Sequence, residues 1–323
     1  MMKEERVTVF LVTYNQENFV KEAAESILNQ DYKNLDIVIS DDCSTDNTYD
    51  ILKELVGQYK GKHNVYLRKN EKNMGVVEHI NLIINKFLKT EYYIPCSGDD
   101  IQYPNRVKEV MNYFKLNQDV YAVCSNAVII DEAGKEHGIF LKKFPLTKRD
   151  FFEVMKKGSN FFGAGAAYRK DIFDNFGIMN SNARNEDQIL PYRASLLGKV
   201  GYINKPLLKY RVHDNNLSYW IKKKGSVYKE FISLEIKDYE NQIINLKNLL
   251  EDIKKIGNTK AFKYVDNNIE LLEFNVNLLK RSFLSRAIYS IMNAKFFFHK
   301  KGFKKRMALA FSPYIMYIKE RNS

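Results

Sequence analysis

Short apolar runs alternate with amphipathic helical segments over the first 117 residues of this chain. Val7–Thr13 is a continuous run of strand-forming residues, and residues 17–29 then repeat apolar side chains at helical spacing. The alternation recurs, with further strands expected at 35–40, 64–68 and 91–96. Strand–helix repetition with short connections predicts a mostly parallel sheet that is flanked by helices. We therefore expect an α/β fold.

Pairs of carboxylates follow two of these strands at their carboxyl ends. Asp41 and Asp42 come directly after the second strand, and Asp99 and Asp100 follow the fourth. Parallel sheets of this kind bind ligands beyond the carboxyl ends of their strands. Adjacent buried carboxylates need a counter-charge, which a divalent cation with oxygen ligands supplies. The pattern predicts a ligand site at this edge, although a turn with a helix cap explains either pair taken alone.

A third acidic pair, Glu186 and Asp187, opens a helical segment at 184–197. Acidic residues are favoured at helix N-termini by the macrodipole, so the position of this pair needs no catalytic role. If the helix faces the same edge of the sheet, one carboxylate can act as a general base. Sequence spacing leaves both explanations open.

Composition restricts the class of protein and its compartment. The 323 residues are 45% hydrophobic and 28% charged, which is typical of a globular chain with one large domain or two ordinary ones. Three cysteines, none in a C-x-x-C pair, exclude a disulfide scaffold and favour a reducing cytoplasm. No apolar run reaches about 18 residues, so we expect no transmembrane helix.

The net charge of +12 is concentrated at one end of the chain. Residues 274–323 contain eleven basic residues and one acid, and they follow helical patterns at 227–256 and 261–283. We expect a domain division at 219/220, with residues 220–323 helical and basic. Aromatic residues among the cations suit an interfacial helix on anionic lipid, but ordinary packing explains them equally well. An apolar stripe on the first long helix leaves a dimer open as well.

A series of motifs in this order resembles family 2 of the glycosyltransferases. The motifs are VTVFLVTYN (7–15), ESILNQ (25–30), DDCSTD (41–46), NMG (73–75), SGDD (97–100), NED (185–187) and YRVH (210–213). The resemblance covers about 7–218, and Cys43 stands where the family more often has Gly or Asn. It implies the GT-A fold, which is Rossmann-like, with residues 1–219 as the catalytic domain. Residues after 219 match no motif of the family, so the α-helical C-terminal region that we expect for membrane or oligomer contact rests on its own helical and basic pattern.

The resemblance also implies roles for individual residues. Asp187 would be the general base, with Glu186 as the alternative. Asp100 would bind Mn²⁺ or Mg²⁺ directly, with Asp99 and His213 beside it. A nucleotide-diphospho sugar would be held by the following residues: Thr13, Tyr14, Asn15, Glu17, Asp41, Asp42, Gly75, Asp99, Gly163 and Arg211.

The implied reaction is an inverting, metal-assisted transfer from a UDP- or dTDP-sugar to a hydroxyl group. The acceptor would be a glycan or a lipid-linked glycan, as in the assembly of bacterial polysaccharide, O-antigen or capsule. In the family, Asp42 would hold the uracil or thymine ring, with Asp41 assisting. We expect a cytoplasmic enzyme, and a basic end that binds lipid would make it peripheral on the inner face of the cell membrane.

Two other functions are compatible with parts of the sequence. A nucleotidyltransferase that makes nucleotide sugars would carry a Gly-rich loop after the first strand, where this chain has residues 13–17 (TYNQE). A non-catalytic protein that binds nucleic acid through its basic end would need a reader motif, and we recognise none. We therefore expect an enzyme with no nucleic-acid partner.

Overall fold

The structure, a computed structural model, describes residues 4–140, 147–159, 161–213, 228–281 and 283–299. The chain divides into two compact units, one of residues 1–181 and 185–213 and the other of residues 182–184 and 214–323. The expected division at 219/220 falls outside the described residues and stays a prediction.

Strands and helices alternate in the first unit as the sequence predicts. The strands are β1 (Val7–Thr13), β2 (Leu35–Asp41), β3 (Asn64–Lys69), β4 (Tyr92–Ser97), β5 (Ile101–Gln102), β6 (Val120–Ile130), β7 (Glu136–Ile139), β8 (Ala166–Arg169) and β9 (Lys199–Arg211). The helices are α1 (Val20–Leu28), α2 (Thr48–Gln58), α3 (Val76–Phe87), α4 (Arg106–Leu116), α5 (Phe151–Lys157), α6 (Asp171–Phe176) and α7 (Glu186–Leu197). A single 3₁₀ turn, Gly163–Gly165, precedes β8.

The strands form one sheet in the order β3-β2-β1-β4-β8-β6-β9-β5, with β7 paired to β6. Strands β1 to β4 pair in parallel, and so do β6 and β9. Strand β8 lies antiparallel between β4 and β6, and β5 is antiparallel to β9. The α/β class and its Rossmann-like parallel part are confirmed, and the later strands make the whole sheet mixed.

The central strands are buried on both faces because helices cover both sides of the sheet. All of β2 is buried, and β1 is buried except for one partly exposed residue. The parallel register places Val12 beside both Ser40 and Ser97, and Thr13 beside Asp41. The carboxyl ends of β1, β2 and β4 therefore meet at one edge, as the motif positions predict.

Strand β9 begins at Lys199 rather than at the expected residue 207. Gly201 and Pro206 make this segment resemble a loop in sequence, but it pairs in parallel with β6 through shifts in register. A Cβ at Gly201 would lie 2.5 Å from the Tyr113 ring, so a neighbouring side chain requires glycine here. Tertiary packing therefore overrides the local preference for a loop.

The described residues of the second unit are helical. The helices are α8 (Tyr228–Lys255), α9 (Thr259–Leu279), α10 (Phe283–Met292) and α11 (Ala294–Phe297). Gly257 adopts a positive φ of 67° between α8 and α9, and the Asn258 side chain caps α9 by accepting from the Ala261 N–H at 3.0 Å. Among the described residues, no helix is both long and apolar enough to cross a membrane. Most of the aromatic and basic stretch at 286–318 lies outside the described residues.

Candidate active site

The loops after β1 and β2 are joined by side-chain hydrogen bonds. The Asn15 Oδ1 accepts from the Thr45 N–H at 2.9 Å, and Glu17 Oε2 accepts from the Asn47 N–H at 3.0 Å. In return, Asp46 Oδ2 accepts from the Glu17 N–H at 3.1 Å. Through these contacts, Asn15 and Glu17 hold one loop against the other. Their direct contact with the donor stays a prediction.

Asp41 and Thr13 are buried beneath these loops. The Asp41 carboxylate accepts from the Ser44 N–H at 2.8 Å, from the Ser44 hydroxyl at 2.5 Å and from the Thr13 hydroxyl at 3.2 Å. The Thr13 carbonyl accepts from the Asp42 N–H at 2.9 Å. Both residues therefore support the loops from beneath. Tyr14 differs from them because its side chain is 44% exposed, which leaves a ring face available to a ligand.

Asp42 is buried and receives hydrogen bonds from the end of β3 and the NMG loop. Its Oδ1 accepts from Asn70 Nδ2 at 2.6 Å and from the Met74 N–H at 2.9 Å. Its Oδ2 accepts from the Gly75 N–H at 2.9 Å. Gly75 has a φ of +76°, a conformation that favours glycine. The structure thus brings Asp42 and Gly75 together, as the motifs predict.

Gly98 lets the SGDD loop approach the β1 loop closely. A Cβ at Gly98 would lie 2.4 Å from Gln16 Oε1 and 2.7 Å from Thr13 Cγ2. The Gly98 N–H also donates to the Val12 carbonyl at 3.1 Å. This packing holds the backbone of Asp99 and Asp100 close to the loop after β1.

Asp99 pairs with His213, although 114 residues separate them in sequence. The His213 Nε2 lies 3.0 Å from Asp99 Oδ2, and both side chains are buried. The His213 ring packs on Phe19, with the ring centroids 4.9 Å apart. The sequence places these two residues in one site through the family resemblance, and the fold brings them into contact.

Asp100 is completely buried, and one of its oxygens has no partner among the described residues. Its Oδ1 accepts from the Arg211 N–H at 3.0 Å, while Oδ2 makes no hydrogen bond. Burial raises the pKa of Asp100 well above its usual value, and the neighbouring Asp99 charge raises it further. An orphaned carboxylate oxygen of this kind fits a divalent cation, which would supply the missing positive charge.

The described residues do not by themselves assemble three or more side chains around a metal position. Asp100 and Asp99 supply hard oxygen ligands, and His213 holds one oxygen of Asp99. Mg²⁺ and Mn²⁺ are commonly bound by one or two carboxylates, with substrate phosphates and water completing the coordination. The residues therefore fit a metal that binds together with a diphosphate.

The Arg211 side chain is surrounded by backbone carbonyls near the SGDD loop. Its guanidinium is buried, donates to the carbonyls of Asp99, Asp131 and Glu132 at 2.9–3.1 Å, and forms an ion pair with Glu22 at 2.7 Å. These contacts hold the SGDD backbone in place. Contact between Arg211 and the donor stays a prediction.

Glu186 and Asp187 lie beside the 3₁₀ turn, and their role as general base stays a prediction. A Cβ at Gly163 would lie 3.0 Å from Glu186 Oε1, and the Gly163 backbone hydrogen-bonds to Asp187. Both side chains keep partial solvent access, but the surrounding protein removes most of the water from their carboxyl groups. This burial raises the pKa of Asp187 to about 6 and, with the Asp187 charge, the pKa of Glu186 to about 7.

The third acidic pair lies at the same sheet edge as the other two. Strand β8 runs antiparallel to β4, so its first residue lies near the carboxyl end of β4. The Arg106 guanidinium connects these ends by donating to the carbonyls of Pro95 at 3.5 Å and Ala166 at 3.1 Å. The turn that contacts Glu186 and Asp187 immediately precedes Ala166.

Several residues of the site were not singled out from the sequence. They are Phe19, Glu22, Ser40, Arg68, His79 and Arg106. Each is an ordinary helix, loop or strand residue in sequence, and each becomes part of the site through a contact with a distant residue. No local pattern marks them, because the burial of His79 and Arg106 exists only once the chain has folded.

Solved structures with this fold define the general class of the protein. S. aureus TarS (residues 1–349) in complex with UDP superposes with a TM-score of 0.59 at 16% identity, covering 90% of this chain and 80% of TarS. The mannosyltransferase PcManGT from Pyrobaculum calidifontis, in complex with GDP-Man and Mn²⁺, gives a TM-score of 0.55 at 15% identity, covering 99% and 88%. The fold is GT-A.

Sequence comparisons then identify the family. The profile of glycosyl transferase family 2 matches residues 8–177, more than half of the chain. The chain is 28% identical over 280 residues to the dTDP-rhamnosyl transferase RfbG of Shigella flexneri, which covers 82% of this chain and 92% of RfbG. An uncharacterized glycosyltransferase of Haemophilus influenzae is 26% identical over 320 residues, covering 84% and 94%. The chain belongs to glycosyl transferase family 2, and the predicted glycosyltransferase activity is confirmed over the nucleotidyltransferase alternative.

Proposed function

We propose that this enzyme transfers a sugar, with inversion, from a nucleotide-diphospho sugar to a hydroxyl of a glycan or lipid-linked glycan. The observation that carries the proposal is the meeting of three acidic pairs at one sheet edge. One pair contacts the loop after β3, one leaves a carboxylate oxygen free for a metal, and one has a raised pKa. Binding of the nucleotide base, binding of the diphosphate and removal of the acceptor proton each need one of these pairs.

Asp187 is the proposed general base. An acceptor hydroxyl is a poor nucleophile at neutral pH, so a carboxylate must take its proton during attack on the anomeric carbon. With a pKa of about 6, Asp187 is mostly ionised at neutral pH and is still a stronger base than an exposed aspartate. The Gly163 backbone hydrogen bond stabilises its ionised form. A single carboxylate suffices for inversion, with attack opposite the leaving diphosphate.

The leaving diphosphate gains negative charge as the glycosidic bond breaks. Asp100 and Asp99 are the proposed ligands of Mn²⁺ or Mg²⁺, which stabilises that charge when it is bound. His213 holds Asp99, and the Arg211 backbone N–H holds the other oxygen of Asp100. The remaining oxygen of Asp100, which has no partner in the described part of the chain, is the proposed metal ligand. The PcManGT complex, which contains Mn²⁺, supports a divalent metal in this fold.

The proposed donor nucleotide is UDP or dTDP. Uracil and thymine present an N3–H donor, and Asp42 Oδ2 accepts only one hydrogen bond among the described residues, from the Gly75 N–H. RfbG is named as a dTDP-rhamnosyl transferase and TarS was solved with UDP, which supports a pyrimidine, whereas PcManGT was solved with GDP-Man.

Calorimetric titration with UDP, dTDP, GDP and CDP, with and without Mn²⁺, tests the donor site. We expect Mn²⁺-dependent binding of UDP or dTDP that Asp100→Ala abolishes. Equal binding of all four nucleotides, or binding that Asp100→Ala leaves unchanged, contradicts the proposal.

The test of the general base is the variant Asp187→Asn. The donors are UDP-GlcNAc and dTDP-rhamnose, and the measurement is the release of the nucleoside diphosphate.

Asp187→Asn is expected to keep donor affinity but to lower the rate of release by at least about a hundredfold. The matched control is Asp174→Asn, which also changes an aspartate in the first turn of a helix, but on the exposed surface. Equal loss of binding and turnover in Asp187→Asn would show that this residue holds the donor instead.

We further propose that the second unit binds an anionic lipid bilayer. Helix α10 has an apolar outer side, with Ile288, Ile291 and Met292 exposed by 61–78%. Its inner side carries polar residues, since Arg286 and Ser290 are buried. Residues 281–299 contain no acidic residue. An outward apolar face among cations complements anionic lipid headgroups and the acyl chains beneath them, which supports a peripheral location at the inner face of the cell membrane.

Cosedimentation with vesicles tests the lipid partner. We expect binding to vesicles that contain phosphatidylglycerol and little binding to vesicles of phosphatidylcholine alone. The double variant Ile291→Glu, Met292→Glu should lose vesicle binding, whereas Leu116→Glu, which changes a residue of the first unit that is 82% exposed, should not. If the double variant instead changes only the molecular mass in solution, the face joins two copies of the chain and the lipid proposal is wrong.

A further inference from the structure

We propose that His79 is a positioning residue that sets the base preference of the donor site by directing its Nδ1–H at the Asp42 carboxylate. This inference rests on the proposed function, in which Asp42 binds the nucleotide base. It assigns to a buried histidine of α3 a role that no motif in the sequence indicates.

His79 lies between Ser40 at the end of β2 and Asp42 in the loop that follows. Its side chain is buried, with 2% of the residue exposed. The Nε2 atom is 2.6 Å from Ser40 Oγ, and the Nδ1 atom is 4.0 Å from Asp42 Oδ1. One ring thus faces a strand hydroxyl on one side and the proposed base-binding carboxylate on the other.

The hydrogen bonds of Ser40 favour one of the two neutral tautomers of the His79 ring. Arg68 Nη1 lies 2.5 Å from Ser40 Oγ, and because a guanidinium can only donate, Ser40 accepts this bond. The other hydrogen-bond partner of Ser40 Oγ among the described residues is His79 Nε2, and we assign the hydroxyl proton to that bond. A neutral imidazole that accepts at Nε2 carries its proton on Nδ1, the atom that faces Asp42.

A neutral ring is consistent with its surroundings. Burial lowers the pKa of His79, and the nearby Arg68 lowers it further, while Asp42 opposes both effects. The contact with Asp42 is therefore between a ring N–H dipole and a carboxylate charge. At 4.0 Å it is an electrostatic contact rather than a hydrogen bond.

The two Asp42 oxygens therefore have different surroundings. Oδ1 accepts from Asn70 and the Met74 N–H and faces His79, so the protein occupies that side. Oδ2, which accepts only from the Gly75 N–H among the described residues, is left for a ligand. A fixed carboxylate oxygen selects bases with a ring N–H at that edge, which uracil and thymine have. Cytosine presents a lone pair there and is repelled.

The test is the ratio of the dissociation constants of CDP and UDP in single variants. Asn carries an N–H donor two bonds beyond Cβ, as histidine does at Nδ1, whereas Gln carries its donor three bonds beyond Cβ, as histidine does at Nε2. We expect His79→Gln to lower the CDP:UDP ratio by about fivefold or more. His79→Asn should keep the ratio within about twofold of the wild type.

Two further variants provide an independent test and a control. Ser40→Ala removes the group that favours this tautomer and should lower the ratio even if His79→Gln fails to fold. His63→Gln, at a second buried histidine outside this network, should leave the ratio unchanged. A wild type that prefers UDP and variants that keep that preference would overturn the role of His79 alone. A wild type that binds no nucleoside diphosphate would instead overturn the proposed function.

Discussion

At the scale of single residues, the site depends on how burial changes the chemistry of carboxylates. Asp42, Asp100 and Asp187 are all aspartates near the end of a strand or the start of a helix. Their environments differ: the first accepts three hydrogen bonds, the second has an oxygen without a partner in the part of the chain that the structure describes, and the third loses water but keeps two backbone donors. One residue type can therefore serve three purposes.

The pH dependence of transfer follows from the pKa of Asp187. A general base must be ionised, and a pKa of about 6 means that protonation inactivates it as the pH falls through that value. We expect kcat/KM to be constant above about pH 7 and to fall about tenfold per pH unit well below about pH 6. A profile of Glu186→Gln provides the control, because this variant should keep the acidic limb. Loss of the limb in Glu186→Gln would make Glu186 the base.

Cys43 is a residue-scale departure from the family pattern with a measurable cost. Its φ is +63°, in the left-handed region that glycine and asparagine adopt more easily. Cys43→Gly should stabilise the protein by up to about 1 kcal/mol, and Cys43→Val should destabilise it by about 1–2 kcal/mol. Denaturant unfolding measures both. Equal stability of the two variants would show that the loop relaxes around this position.

At the scale of elements, close approach between loops decides where the acidic pairs lie. Gly98 → Ala would place a methyl group 2.7 Å from Thr13 Cγ2, so the SGDD loop must move away from β1. We expect a loss of about 1–3 kcal/mol in stability and weaker binding of UDP with Mn²⁺. The measurements are denaturant unfolding and calorimetric titration.

Gly57→Ala in α2 is the matched control for that substitution. A Cβ at Gly57 would meet no atom within 4 Å, and the residue lies within a helix. This variant should gain about 0.5–1 kcal/mol in stability and leave nucleotide binding unchanged. If both alanine variants behave alike, the SGDD loop tolerates a side chain and the packing argument fails.

At the scale of the whole molecule, the excess positive charge and the candidate active site lie in different parts of the sequence. The first 273 residues are close to neutral, whereas the last 50 carry ten net positive charges. Binding to phosphatidylglycerol vesicles should therefore weaken as the salt concentration rises, because the screening length falls to about 3 Å at 1 M salt. Nucleotide binding supplies the comparison and should depend less on salt. Vesicle binding that is insensitive to salt would leave the apolar face of α10 as its sole cause.

The sequence by itself determined the parallel core and the edge at which the site lies. Strand-forming runs such as Val7–Thr13 are local patterns, and parallel strands must end at the same side. The positions of Asp42 and Asp100 after two such strands therefore fixed their neighbourhood before any contact was known. The glycosyltransferase class followed from the order of these motifs.

Only the tertiary structure decided what individual side chains do within that neighbourhood. His213 meets Asp99 across 114 residues, Arg211 donates to loop carbonyls, and His79 lies between Ser40 and Asp42. Local hydrophobic periodicity predicts none of these contacts. It indicates which face of a helix or strand is buried, but not which residue lies against that face. Hydrogen-bond partners and pKa values depend on the meeting itself, so they exist only once the chain has folded.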